Sequence, residues 1–140
     1  MHRAASAALI GVVLAATGCG GGGAKPPDAK QVGDAVTGYA HAFGGGDGVK
    51  ACGLLTSDAR DAFVKRVSSL VGTTDCAEAM SKLQTFAGPN VTGPFQDATV
   101  SAVKVSGDRA TANLVAAGHS EQVTLERQNG DWLLTKAPGT

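Results

Sequence analysis

The stretch Val123-Thr124-Leu125-Glu126-Arg127-Gln128-Asn129-Gly130-Asp131-Trp132-Leu133-Leu134 decides the fold. Val123 and Leu125 alternate with polar residues, as in a strand with one buried face. Asn129-Gly130 then separates this run from a second one, and both central positions of a type I′ turn need the positive φ that Asn and Gly tolerate. The segment predicts a β-hairpin whose second strand points Trp132 and Leu134 inward. Upstream, Ala110, Ala112 and Leu114 repeat the alternation, and turn residues stand at Gly107-Asp108 and at Gly118 to Ser120. These breaks predict strands near 98–105, 109–117, 121–128 and 131–136, an antiparallel meander of about four strands.

The pattern changes character further back. From Val32 to Ala87 the apolar residues recur at helical spacing. Val32, Val36, Tyr39 and Phe43 form one stripe of a first helix, which Gly44-Gly45-Gly46 ends. Asp47 caps a short second helix bearing Val49 and Cys52. Ser57 and Asp58 open a third, with the stripe Ala59, Phe63, Val67 and Leu70. A fourth starts near Thr74 or Asp75, where Asp75 and Glu78 have capping-box spacing, buries Cys76, Ala79, Met80, Leu83 and Phe86, and stops at Gly88-Pro89. Helices followed by an antiparallel sheet define an α+β class, with N-terminal helices packed on a curved sheet.

The start of the chain carries an address. Met1, His2 and Arg3 are followed by a charge-free apolar run from Ala4 to Ala16, the layout of a signal peptide over residues 1–18. The run is well short of the roughly 20 apolar residues of a membrane-spanning helix. Leu14-Ala15-Ala16-Thr17-Gly18-Cys19 resembles the lipobox of bacterial lipoproteins, in which the cysteine receives diacylglycerol and becomes the new N-terminus. The position three residues before the cysteine holds Ala16 rather than the usual Leu. The competing reading is an ordinary signal peptide that leaves Cys19 as a free thiol. Residues 19–29, with Gly20 to Gly23 and then Pro26-Pro27, read as a tether, and about nine residues of coil span only about 15–18 Å on average. The domain proper then covers 30–140, on the outer face of the cell membrane.

Of 3 cysteines, lipidation uses Cys19 and leaves Cys52 and Cys76. An even pair outside the cytoplasm predicts one disulfide, closing a loop of about 24 residues for which the chain-entropy model gives about 3.4 kcal/mol. The rival reading, a pair of metal ligands, falls short of the four donors of a structural zinc site. No metal or cofactor is implied. With 12 basic against 12 acidic residues, scattered rather than striped, nothing favours nucleic acid or anionic headgroups as a partner. The chain is 43% hydrophobic but only 4% aromatic, so its core is built from modest side chains. Gly44 to Gly48 lacks the Gly-Lys-Ser/Thr end that grips a phosphate. Asn90-Val91-Thr92 matches a glycosylation sequon in an expected surface loop, a match without meaning in a bacterium.

Several pieces together resemble a known superfamily: Tyr39-Ala40-His41-Ala42-Phe43, Gly46-Asp47, Ala51-Cys52-Gly53-Leu54-Leu55, Cys76-Ala77-Glu78-Ala79, Val105 to Ala112, Val123-Thr124-Leu125 and Gly130-Asp131-Trp132. Over about residues 30 to 136 the chain looks like the nuclear transport factor 2-like (NTF2-like, or SnoaL-like) domains, in particular small secreted lipoproteins of high-GC bacteria. The resemblance implies a cone whose mouth holds a hydrophobic molecule or whose sheet serves as an interface, and, in the enzymes of the superfamily, a carboxylate or histidine inside the cone. His41 falls off the Tyr39 and Phe43 stripe and reads as a surface residue rather than a pocket base. His119, in an expected turn, reads the same way, and Asp47 reads as a cap rather than a general acid. Tyr39, Phe43, Leu114, Leu125 and Trp132 are core residues that double as candidates to line a ligand site. The expectation is a membrane-anchored, non-catalytic lipoprotein that binds an apolar small molecule or an envelope protein. The alternative is a small isomerase or dehydratase, which needs a buried acid or base.

Overall fold

A computed structural model describes residues 27–139, so the signal-peptide reading, Cys19 and the tether as far as residue 26 lie outside the described residues. The elements are α1 (Asp28–Gly45), α2 (Gly48–Gly53), α3 (Ser57–Val71), α4 (Cys76–Ala87), α5 (Pro89–Thr92), a 3-10 turn (Gly93–Phe95), β1 (Thr99–Ser106), β2 (Arg109–Ala116), β3 (His119–Gln128) and β4 (Asp131–Leu134). The helices pack against a curved four-stranded antiparallel sheet of order β1-β2-β3-β4, an α+β fold.

Helix α1 begins at Asp28, two residues ahead of the expected boundary, with that carboxylate in its first turn against the positive end of the helix dipole. Its stripe of Val32, Val36, Tyr39 and Phe43 is buried as expected and lies across β1, β2 and β4. Gly46 ends it at φ +79°: the Gly46 amide donates to Phe43 and the Asp47 amide to Ala42, a Schellman closure that only glycine enters without strain. Asp47 then caps α2 by accepting from the Lys50 amide at 3.0 Å.

The glycine run is more than a stop. The buried Gly44 carbonyl accepts from both Gln84 and Gln96, at 3.1 and 3.0 Å, which docks α4 and the turn before β1 onto the end of α1. Gly48 lets α2 approach α4 so closely that a Cβ there would lie 2.1 Å from the Ala77 carbonyl oxygen. The Cys52–Cys76 disulfide ties these two helices, with Cα atoms 6.1 Å apart, as the cysteine pairing predicts.

Helix α3 opens at Ser57 as expected, and Thr56 is its cap. The Thr56 hydroxyl accepts from the Ala59 amide at 3.2 Å, while its own amide donates to the Leu134 carbonyl. Leu55 bridges Leu134 in parallel, and the Leu134 amide donates to Leu54. A short extended segment therefore covers the β4 edge, which would otherwise present unpaired backbone groups. In α4 the Asp75 carboxylate caps the Glu78 amide, but Glu78 does not reach back directly. Its carboxylate accepts from the Thr73 hydroxyl, which accepts in turn from the Asp75 amide. Leu70 and Phe86 depart from their expected stripes: they stand at helix ends where the spacing continues but nothing covers it, 54% and 70% exposed. Past Gly88-Pro89, where a loop is expected, the chain makes α5 and the 3-10 turn, so Asn90-Val91-Thr92 is helical and Thr92 is buried.

Three two-residue turns join the strands. Asn129 and Gly130 both have positive φ, as the sequence predicts for type I′. The second turn is shorter than expected. Ala117 and Gly118 supply its positive φ values, and Ala116 pairs with His119, so His119 opens β3 instead of sitting in the turn. In β1 the register slips between Ser101 and Lys104, leaving one extra residue opposite β2, with Ala102 at φ +50°. This bulge and the exposed Lys104 blunt the open sheet edge. Ala110, Ala112, Leu114, Val123, Leu125, Trp132 and Leu134 share the concave face and are buried against α1.

Candidate functional site

The two ends of the concave face are finished differently. At the end where α1 begins, Arg127 opposes Trp132 in the β3–β4 register. Its guanidinium carbon lies 4.9 Å from the Trp132 ring centroid, and its nitrogens reach Asp28 and Asp108, each at 3.0 Å, and the Gly107 carbonyl at 3.2 Å. One side chain thus ties the start of α1, the β1–β2 turn and β3 together and roofs the indole. Leu125 is fully buried behind it. Trp132 and Leu125, two of the candidate lining residues, belong to this filled end. The indole also borders a shallow depression of about 370 Å³ between α1 and β4.

The opposite end is open. Between α5, the 3-10 turn and the β2–β3 hairpin lies a groove of about 380 Å³, walled by Val91, Phe95, Leu114 and Ala116, with His119 and Glu121 at its polar side. Its size falls in the range of small-molecule sites. A wider depression of about 610 Å³ lies on the other flank of the Ala116-Ala117 corner, against Pro89, Pro94 and Asp97, but it is shallower and more polar. The smaller groove is the better receptacle for an apolar guest because it is the more enclosed and the more apolar of the two.

Aromatic packing fixes the groove's wall. Tyr39 stacks on Phe43 with ring centroids 6.4 Å apart, and Phe43 meets Phe95 edge-to-face at 5.0 Å. Of the candidate lining residues, Leu114 therefore forms the wall itself, while Tyr39 and Phe43 buttress Phe95 from behind. The Tyr39 hydroxyl is fully buried without a hydrogen-bond partner. Burial pushes its pKa up from the ordinary tyrosine value, and the nearby Glu121 charge adds to the rise.

Glu121 escapes a reading that treats charged residues as outward-facing. It has the parity of Val123 and Leu125, and it pairs with Leu114 across β2 and β3, which sets its carboxylate beside the apolar wall. One carboxylate oxygen accepts from the Gly139 amide at 2.9 Å, and the other lies 3.8 Å from the Lys136 ammonium. The side chain keeps 39% of its surface exposed. Carrying the alternation two residues upstream from Val123 would have found it. His41 lies exposed on α1, and His119 is exposed at the groove rim. Among the described residues, no group of three or more His, Cys, Asp or Glu converges as metal ligands, and no helix is long and apolar enough to cross a membrane.

The fold and groove define a class, an α+β domain with a curved sheet closed at one end and grooved at the other. No protein-family model matches the chain, nor does any curated protein sequence.

Proposed function

We propose that this chain is an extracytoplasmic lipoprotein of the NTF2-like kind, anchored to the outer face of a bacterial cell membrane through Cys19. It does no chemistry of its own and holds an apolar small molecule in the groove between Phe95 and Leu114. The observation that carries this reading is the groove: an apolar-walled recess of ligand size at the open end of the concave face. The signal-peptide pattern and lipobox supply the address, and the disulfide agrees with an oxidising compartment.

The non-catalytic reading draws support from Glu121. A general acid or base in such a site is shielded from water. Glu121 instead keeps 39% of its side chain exposed and accepts from the Gly139 amide. The isomerase or dehydratase alternative keeps one observation in its favour, the presence of His119 and Glu121 on the same groove.

Organic extraction of the full chain, purified from its own cell envelope, tests the proposal. The expected result is an apolar molecule recovered in roughly one-to-one amount with the protein, unaltered on prolonged incubation. Conversion of that molecule to a product by the purified chain would favour the enzyme, and an extract containing only bulk membrane lipid would remove the ligand from the proposal.

A further inference from the structure

The charge distribution in the groove discriminates among apolar guests. Glu121 is the only carboxylate among the residues that line it, and neither lysine nor arginine is among them. Its pairing with Leu114 holds the carboxylate against hydrocarbon, where a nearby charge is screened less than in open water. That carboxylate is under-used. An ionised carboxylate offers about four lone-pair sites, of which, among the described residues, the Gly139 amide takes one. Lys136, at 3.8 Å, is beyond hydrogen-bonding distance and is itself 61% exposed, so it compensates the charge only weakly.

We infer that the ligand of this groove is an apolar molecule bearing a protonated amine, with its hydrocarbon body against Phe95 and Leu114 and its ammonium paired with Glu121. The inference rests on the groove being a ligand site. An ammonium has three N–H donors. The Glu121 carboxylate, at the polar side of the groove, can accept them. A guest with a carboxylate head meets like charge at Glu121, and neither lysine nor arginine lines the groove to compensate it. A neutral alcohol can donate one hydrogen bond to the same carboxylate but brings no positive charge to pair with it.

Three matched probes read the head-group preference: 4-phenylbutylamine, 4-phenylbutanol and 4-phenylbutanoate, titrated calorimetrically into the full chain in nanodiscs, with empty nanodiscs as the blank. The amine is expected to bind about tenfold tighter than the alcohol, because only the amine pairs a positive charge with the carboxylate, and the carboxylate probe more weakly than either. Glu121→Gln should abolish the amine's preference over the alcohol, whatever it does to the alcohol's own affinity, and Glu121→Lys should shift the preference to the carboxylate probe. A thermal melt of each variant verifies that it is folded. Equal binding of amine and alcohol by the wild-type chain, or an amine preference that survives Glu121→Gln, overturns the amine inference and leaves the groove as a site. If none of the probes binds, the groove reading fails, and the amine inference with it.

Discussion

Arg127 lies over the ring of Trp132, 4.9 Å from its centroid, and in doing so closes one end of the concave face. The guanidinium also joins Asp28 to Asp108, so it couples the first turn of α1 to the β1–β2 hairpin. Trp132 is the only tryptophan, which makes its fluorescence a direct report on this end. The native emission should be blue-shifted. Arg127→Ala should shift it to the red and cost about 1–2 kcal/mol, allowing for the partial exposure of the ion pairs. Trp132→Ala should cost about 3–5 kcal/mol, because it empties a packed site. Emission at the solvent value from the folded protein would contradict the burial.

The approach of α2 to α4 at Gly48 should tolerate no side chain. A Cβ 2.1 Å from the Ala77 carbonyl oxygen forces the helices apart, and the Cys52–Cys76 bridge resists that movement. Gly48→Ala should cost about 3 kcal/mol or more in chemical denaturation of the oxidised protein, the upper part of the range for overpacking. Gly53→Ala, with open space around its Cβ position, is the control and should stay within about 1 kcal/mol of wild type. Equal effects of the two would refute the close-packing account.

Tyr39 is the only tyrosine, so its titration can be followed by phenolate absorbance without interference. Its folded pKa is raised, by burial first and by Glu121 second. An unfolded tyrosine ionises near pH 10, so above that pH the unfolded chain loses a proton that the folded chain retains. Stability associated with Tyr39 is therefore complete below about pH 10 and declines as pH rises beyond it. Phenolate should appear together with the loss of native circular dichroism. A phenolate signal near pH 10 from a chain still fully folded would show the hydroxyl to be open to water.

Much of the architecture was legible, and the exceptions have local causes. The α1 stripe and the Asn129-Gly130 hairpin were readable because each combines a periodic apolar pattern with its own terminator in consecutive sequence. Thr56 was not, because its role as cap depends on burial beside Leu134, far away in the chain. Helix α5 was hidden by Gly88-Pro89 and Gly93-Pro94, which read as breakers, although proline is well placed in the first turn of a helix. His119 was assigned to a turn because Gly118 drew the turn toward it. The structure instead uses Ala117 as the other residue of positive φ, a position alanine enters at a cost of about 1–2 kcal/mol. At the groove, Leu114 was legible from alternation. Phe95 was not, since no periodic segment contains it, and Glu121 was overlooked although the same alternation reaches it.

The anchor is tested outside the described residues. Cys19→Ala should move the protein from the membrane to the aqueous fraction, because paired acyl chains supply stable attachment at about 0.8 kcal/mol per buried methylene. Unchanged membrane partition would defeat the lipoprotein assignment while leaving the fold and groove untouched.

The central claim is that the groove beside Phe95 and Leu114 holds an apolar molecule. Native mass spectrometry of the full chain released gently from its own envelope tests this most directly, comparing the wild type with Ala116→Trp, which fills the groove from the β2 wall. The account predicts one bound small molecule on the wild type, beyond the mass of the lipidated chain, and none on a folded Ala116→Trp variant. The same adduct on both proteins, or on neither, would contradict it.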